Sequence, residues 1–217
     1  VTQVAERRFT TGHKLETRDG EKPVIFGYAA RFYDGTPATE FELWTDTVER
    51  IMPMAFDKAL AEDDVRALFN HDTNHILGRT TAKTLTLGKD DLGLRYEIDV
   101  PATTLGRDLA LSVKRGDVTG SSFSFVTTDE EWRKEGGKNI REIKGVQLFD
   151  VGPVTFPAYE STTSAVRSVS EPDSSARQSF EAWQAGEKAK AEKAAGDVRA
   201  NIAGAQARAR AVELEGA

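Results

Sequence analysis

Three short stretches of the chain carry groups able to do nucleophilic chemistry. The first is Asp117-Val118-Thr119-Gly120-Ser121-Ser122-Phe123-Ser124-Phe125. Its alternation predicts a strand entered through a glycine, because successive side chains of a strand point to opposite faces. Ser121, Phe123 and Phe125 then share one face, and Ser122 and Ser124 share the other. The rings anchor the strand in an apolar core. The hydroxyls stand on a rigid base, which a nucleophile needs to keep its geometry. The same pattern also suits a half-buried strand with two outward serines. The second stretch is Leu68-Phe69-Asn70-His71-Asp72, an apolar strand running into a polar end. The third is Leu148-Phe149-Asp150-Val151-Gly152-Pro153-Val154-Thr155-Phe156-Pro157-Ala158, an apolar segment that carries one carboxylate.

The elements around these stretches read as follows. Val24 to Phe32 is a strand, and Phe41 to Ile51 is a second one. Pro53 suits the first turn of a short helix, with Met54, Phe56 and Leu60 facing the core. Val65 to Phe69 is a short apolar strand, Gly78 breaks the loop after it, and Thr80 to Leu87 and Leu92 to Val100 are two further strands. Thr103 to Arg115 is the clearest helix: Leu105, Leu109 and Val113 repeat at helical spacing with Leu111 beside them. Thr103 or Thr104 caps its start, and Gly116 its end. Glu130 to Arg133 and Ile140 to Val146 are the arms of a hairpin turning at Gly136-Gly137. Pro153 cannot donate to a ladder, so Gln147 to Phe156 is expected to be an edge or a bend.

Composition sets outer limits. The chain has 217 residues, 39% hydrophobic and 29% charged, enough for one globular core plus an appendage. It has no cysteine, so thiolate chemistry and disulfides are excluded. A net charge of -6 argues against a nucleic-acid groove. No apolar run is long enough to span a bilayer, and Val1 to Thr10 lacks the apolar core of a signal peptide. No membrane or nucleic-acid partner is expected, and the protein reads as soluble and intracellular. After about Ser161 the composition turns to Ser, Thr, Glu and Pro. From Ala176 it is rich in Ala, Lys, Glu and Arg, with too few bulky apolar residues for a core of its own. Residues 1–165 are therefore read as one domain, and 166–217 as a helical or disordered tail.

In their order and spacing the three stretches resemble the prohead maturation serine proteases of tailed bacteriophages, a family related in fold to the herpesvirus assemblins. The resemblance runs from about Val24 to Ser164 and includes Ala55-Phe56-Asp57 ahead of the histidine strand. It implies a mainly β, barrel-like core with flanking helices. It implies a serine endopeptidase of capsid maturation, without cofactor, acting inside the assembling procapsid in the host cytoplasm. Its substrates would be scaffold or the scaffolding segment of the major capsid protein, and the enzyme itself. The general base of the family matches His71, in Asn70-His71-Asp72. The nucleophile matches Ser122, followed by Phe123-Ser124-Phe125. Ser124 stands where the family usually has glycine, so Ser124 is the alternative nucleophile. The acidic member matches Asp150, one carbon shorter than the family's glutamate, and Gly152 replaces the usual serine. The family's ending survives as Val154-Thr155-Phe156-Pro157-Ala158.

The chemistry of these groups is consistent with that assignment. A serine hydroxyl needs a base within hydrogen-bond reach. A neutral imidazole takes its proton and later hands it to the leaving amine. A carboxylate on the far nitrogen fixes the tautomer and stabilises the imidazolium. Asp72 is expected to orient the histidine loop through a backbone hydrogen bond and is the next candidate for the acidic role. Arg79 is a candidate helper of an oxyanion hole otherwise built from backbone amides. His71 and His75 on a helix would make a metal pair, but Asn70 to Asn74 reads as a turn without an evident third ligand, so no metal is expected. His13 is expected to be solvated. The first rival reading is a non-catalytic assembly or scaffold protein that keeps the fold, with a protease fused to a scaffold tail as a related variant; the second is a metal-dependent hydrolase using His71 and His75.

Overall fold

The computed structural model describes residues 5–10, 15–18, 23–156 and 174–215, with side chains from 175 to 204 in the last of these. His13, Pro157, Ala158, the expected boundary near residue 165 and the polar stretch from Ser161 to residue 173 lie outside the described residues. The chain forms two units, divided between Asp173 and Ser174.

In the first unit the chain begins with strands β1 (Glu6–Thr10), β2 (Glu16–Arg18), β3 (Val24–Arg31), β4 (Phe41–Trp44) and β5 (Thr47–Ile51). Helix α1 (Asp57–Glu62) leads to β6 (Arg66–Leu68), β7 (Ile76–Arg79), β8 (Leu85–Lys89) and β9 (Gly93–Asp99). Helix α2 (Thr104–Arg115) then leads to β10 (Gly120–Glu135) and β11 (Lys138–Val154). The second unit is one helix, α3 (Ser174–Glu215).

The strands form two open sheets. The larger has the order β1-β10-β11-β5-β4, and its β11 also pairs with β6, which pairs with β7. The smaller has the order β2-β3-β9-β8. The class is the expected one, mainly β with flanking helices, but neither sheet closes into a barrel. The core lies between them. Phe123, Phe125, Leu148 and Val151 come from the larger sheet, and Ile25, Leu94, Tyr96 and Ile98 from the smaller. Phe123 stacks on Phe125 at 4.9 Å and meets Phe56 edge-on at 5.5 Å, so the expected inward face of the serine strand is the observed one.

The central hairpin is longer than the sequence suggested. The serine strand and the arm Glu130–Arg133 are one 16-residue strand, and the other arm runs on through Asp150 as one 17-residue strand. Bulges near Phe125 and Asp129 break the alternation, which is why the pattern read as separate pieces. Gly136 and Gly137 both take positive φ, as a two-residue hairpin turn with the sheet's twist requires. Pro153 lies within β11 just past its ladder with β6, so it has a strand partner on one side alone, as an edge position allows. It pairs with Ser121 inside β11.

Phe41 to Ile51 is not one strand but a hairpin, turned at Thr45-Asp46, with Asp46 in the left-handed region at φ 57°. Thr80 to Leu87 is likewise split: residues 80–83 form a turn and Gly78 lies inside β7. Pro53 and Met54 precede α1 instead of opening it, and Met54 is exposed. Leu111 faces outward on α2, while Leu109 and Val113 are buried. The Thr103 hydroxyl accepts from the Gly106 amide at 3.1 Å, the cap expected for this helix, and Gly116 ends it.

Candidate active site

Three adjacent strands position the reacting groups. β11 lies between β10 and β6, antiparallel to the first and parallel to the second. In β10, Ser122 is opposite Gly152 and Ser124 is opposite Asp150. In β6, Arg66 is opposite Asp150 and Ala67 opposite Val151, so the chain leaving β6 reaches His71 beside the end of β11. Gly152 allows this approach. A Cβ there would stand 2.0 Å from the Leu68 carbonyl oxygen, inside any real contact distance.

The histidine loop is held against β11 by Asn70. Its amide donates to the Pro153 carbonyl at 3.0 Å, its side-chain nitrogen donates to the Thr155 hydroxyl at 3.1 Å, and its side-chain oxygen accepts from the Thr155 amide at 2.8 Å. Asn70 and His71 both sit in the left-handed region, at φ 55° and 57°. Two successive non-glycine residues there are costly and persist only where the surroundings fix them. Those three bonds, together with Asp72 donating its amide to the Phe69 carbonyl, do so.

His71 joins the other two groups. Its Nδ1 is 2.5 Å from Asp150 Oδ1, and its Nε2 is 2.5 Å from Ser122 Oγ. The residues matched by resemblance thus form one serine–histidine–aspartate chain. Ser122 has no exposed surface and Asp150 is buried. The Ser122 hydroxyl also reaches the Arg8 carbonyl oxygen of β1, at 2.8 Å. Ser121 points the other way and bonds to the Tyr96 hydroxyl at 2.8 Å. Burial pushes the Tyr96 phenol well above its usual range, so it stays neutral there.

The other candidates are placed differently. Ser124 is buried beside Asp150 in the ladder, outside the bonds that join His71 to Ser122 and Asp150. The Asp72 carboxylate is engaged by Asn74 and His75. It accepts from the Asn74 amide at 2.8 Å, which holds it below its usual value, and it lies 3.3 Å from His75 Nδ1. The Asp72 backbone amide donates to the Phe69 carbonyl at 3.1 Å within the loop. The Arg79 guanidinium is tied to the Asp64 carboxylate, with Nε donating at 2.9 Å. His71 spends both ring nitrogens on Asp150 and Ser122, and His75 packs on Phe69 at 6.4 Å, so the two histidines do not converge.

Sequence reasoning missed β1 and the charges it carries. Arg8 donates to Glu49 through Nε at 2.6 Å and Nη2 at 2.9 Å, and to Glu6 at 2.9 Å. Arg141 donates to Glu6 at 2.6 Å, to Glu49 at 2.8 Å and to Glu130 at 2.6 Å. Glu6, Arg8, Glu49 and Arg141 are all buried. The Glu-Arg-Arg run of β1 and the charged pairs Glu49-Arg50 and Arg141-Glu142, each flanked by β-branched apolar residues, were the available signal. Buried charges of opposite sign have to pair.

Residues 11–175 match the family described as caudovirus prohead serine protease. No curated protein matches the chain. Among solved structures, the bacteriophage T4 capsid assembly protease gp21 is similar, at 13% identity and a TM-score of 0.46, covering 69% of this chain and 98% of that one. The family match spans most of the chain and includes all three stretches, and on that ground the chain belongs to the caudovirus prohead serine protease family.

Proposed function

We propose that this protein is the serine endopeptidase of procapsid maturation in a tailed phage, with Ser122 as nucleophile, His71 as general base and Asp150 as its orienting carboxylate. The observation that carries the reading is the single imidazole bonded at 2.5 Å to a serine on one nitrogen and an aspartate on the other. In the first step Ser122 Oγ attacks the scissile carbonyl carbon while its proton passes to His71 Nε2. Asp150 stabilises the resulting imidazolium through Nδ1–H. His71 then protonates the leaving amine, and the acyl group remains on Ser122 as an ester. Water, deprotonated by the same imidazole, releases it.

The substrates are scaffold protein or the scaffolding segment of the major capsid protein, and the chain itself, cut in the polar stretch from Ser161 to Ser175. The site of action is the interior of the assembling procapsid. The 42-residue, charge-rich α3 supports a second role for that unit, as a scaffold-like or packaging segment. Co-expression with the matching capsid protein tests the reading by mass spectrometry. Wild type is expected to shorten the capsid protein and to shed its own C-terminal fragment, and Ser122→Ala to leave both intact. Equal processing by wild type and Ser122→Ala would remove the reading.

A further inference from the structure

Strand β1 lies where a substrate would have to lie. It pairs antiparallel along β10, with Arg8 opposite Phe123 and Phe9 opposite Ser122. The Arg8 carbonyl oxygen is the backbone acceptor of the Ser122 hydroxyl, at 2.8 Å. The next residue, Phe9, places its ring edge-on to His71 at 6.5 Å. A scissile bond would occupy the same place, with its carbonyl group beside the serine and the residue after it on the histidine side. The side chain that precedes the bond is Arg8. It enters a buried pocket in which the Glu49 carboxylate grips the guanidinium at two nitrogens, with the Phe125 ring 5.6 Å away. Two residues earlier on the same face, Glu6 meets Arg141.

From this we infer, resting on the triad reading above, that the β10 edge beside Ser122 is the peptide-binding site and that β1 is its resident occupant. The substrate is an extended strand that replaces β1 and is cut after a basic residue. That residue sits in the Glu49–Phe125 pocket, with an acidic residue two positions before it facing Arg141. Two features of the site require this chemistry. Removing β1 uncovers a buried carboxylate and a buried guanidinium, and a strand lacking matching charges leaves them short of partners. A planar fork is the best match to a carboxylate gripped at both oxygens. β1 also quiets the nucleophile. Ser122 has one proton, and the Arg8 carbonyl competes with His71 for it. The Arg8 carbonyl meets Ser122 through its oxygen, as a hydrogen-bond acceptor, so the resident strand is held without being positioned for attack.

The test uses the full chain and three synthetic decapeptides that carry Glu-Ala-Arg, Glu-Ala-Ala or Glu-Ala-Glu at their centre. Their cleavage by wild type is followed by mass spectrometry. In parallel, hydrogen exchange of residues 6–10 is measured in Ser122→Ala with and without saturating Glu-Ala-Arg peptide. The expected result is cleavage after arginine at least 10-fold faster than any cut in the other two peptides, and faster exchange in β1, while Val24–Arg31 stays protected. Ser122-dependent cleavage of the capsid protein without a preference for a basic residue, or with β1 unchanged by bound peptide, would overturn the inference and leave the triad standing. Capsid cleavage that survives Ser122→Ala would remove the triad and this inference together.

Discussion

Asp150 and Ser122 engage opposite nitrogens of one imidazole, so the state of either side is felt at the other. Replacing Asp150 with asparagine keeps the shape of the site but allows the amide to donate to Nδ1, which presents the wrong tautomer to the serine. Asp150→Asn is expected to lower kcat/KM by roughly 10³ to 10⁴ with little change in thermal stability. Ser124→Ala is expected to stay within about 10-fold of wild type, since removing a group outside the reacting chain forfeits none of its transition-state contacts. Capsid-peptide kinetics on both variants check this pair, and a dead Ser124→Ala beside an active Ser122→Ala would reverse the assignment. At this scale the sequence was informative because His71, Ser122 and Asp150 sit in short local patterns. Asn70 carried no such signal. Its role is to bridge to Thr155, 85 positions along the chain, and no local pattern records that.

At the scale of elements, the site depends on how closely β6 approaches β11. Gly152 is the residue that permits it. Gly152→Ala forces a Cβ to within 2.0 Å of the Leu68 carbonyl, and that contact is backbone, which has little room to give. The variant is expected to lose about 1–3 kcal/mol of stability and to lose activity out of proportion to it, because the histidine loop is carried by the displaced strand. Denaturant unfolding alongside kcat/KM separates the two effects. Thr103→Ala on α2 is the control. It removes a helix cap and is expected to cost about 1 kcal/mol with kcat/KM unchanged. The α2 cap and the Gly136-Gly137 turn were legible because both are local rules. The division of Phe41–Ile51 at Asp46 was not, since a left-handed aspartate in an otherwise strand-like run leaves little mark on periodicity. β1 escaped notice because its inward residues, Glu6, Arg8 and Thr10, are polar and find their partners only in the folded sheet.

Two features extend beyond any single element. The apolar core draws its residues from between Leu15 and Val151, so a chain ending at Ala165 is expected to fold cooperatively and to cut a capsid-derived peptide. Loss of the unfolding transition in that chain would assign α3 to the core. The second feature is the charge network that ties β1 to β5 and β11. Burial raises the Glu6 carboxyl, but the Arg141 hydrogen bond and the charges of Arg141 and Arg8 outweigh it and hold Glu6 below its usual 4.5. A carboxylate depressed in the folded state contributes stability above its unfolded value, and that contribution is lost as pH falls through the folded value. Stability is therefore expected to decline below about pH 4.5, and Glu6→Gln to flatten that decline while lowering stability at neutral pH. Thermal unfolding across pH 3 to 7 reads both, and an unchanged slope in Glu6→Gln would contradict the network's role.

If Ser122 and His71 act as one catalytic unit, their losses do not add, and a double-variant cycle shows whether they do. Cleavage of a capsid-derived substrate is measured for wild type, Ser122→Ala, His71→Ala and the double variant. Each single change is expected to lower kcat by about 10⁶, and the double variant to be no slower than either. Losses that multiply in the double variant, or a Ser122→Ala protein that cuts as wild type does, would contradict it.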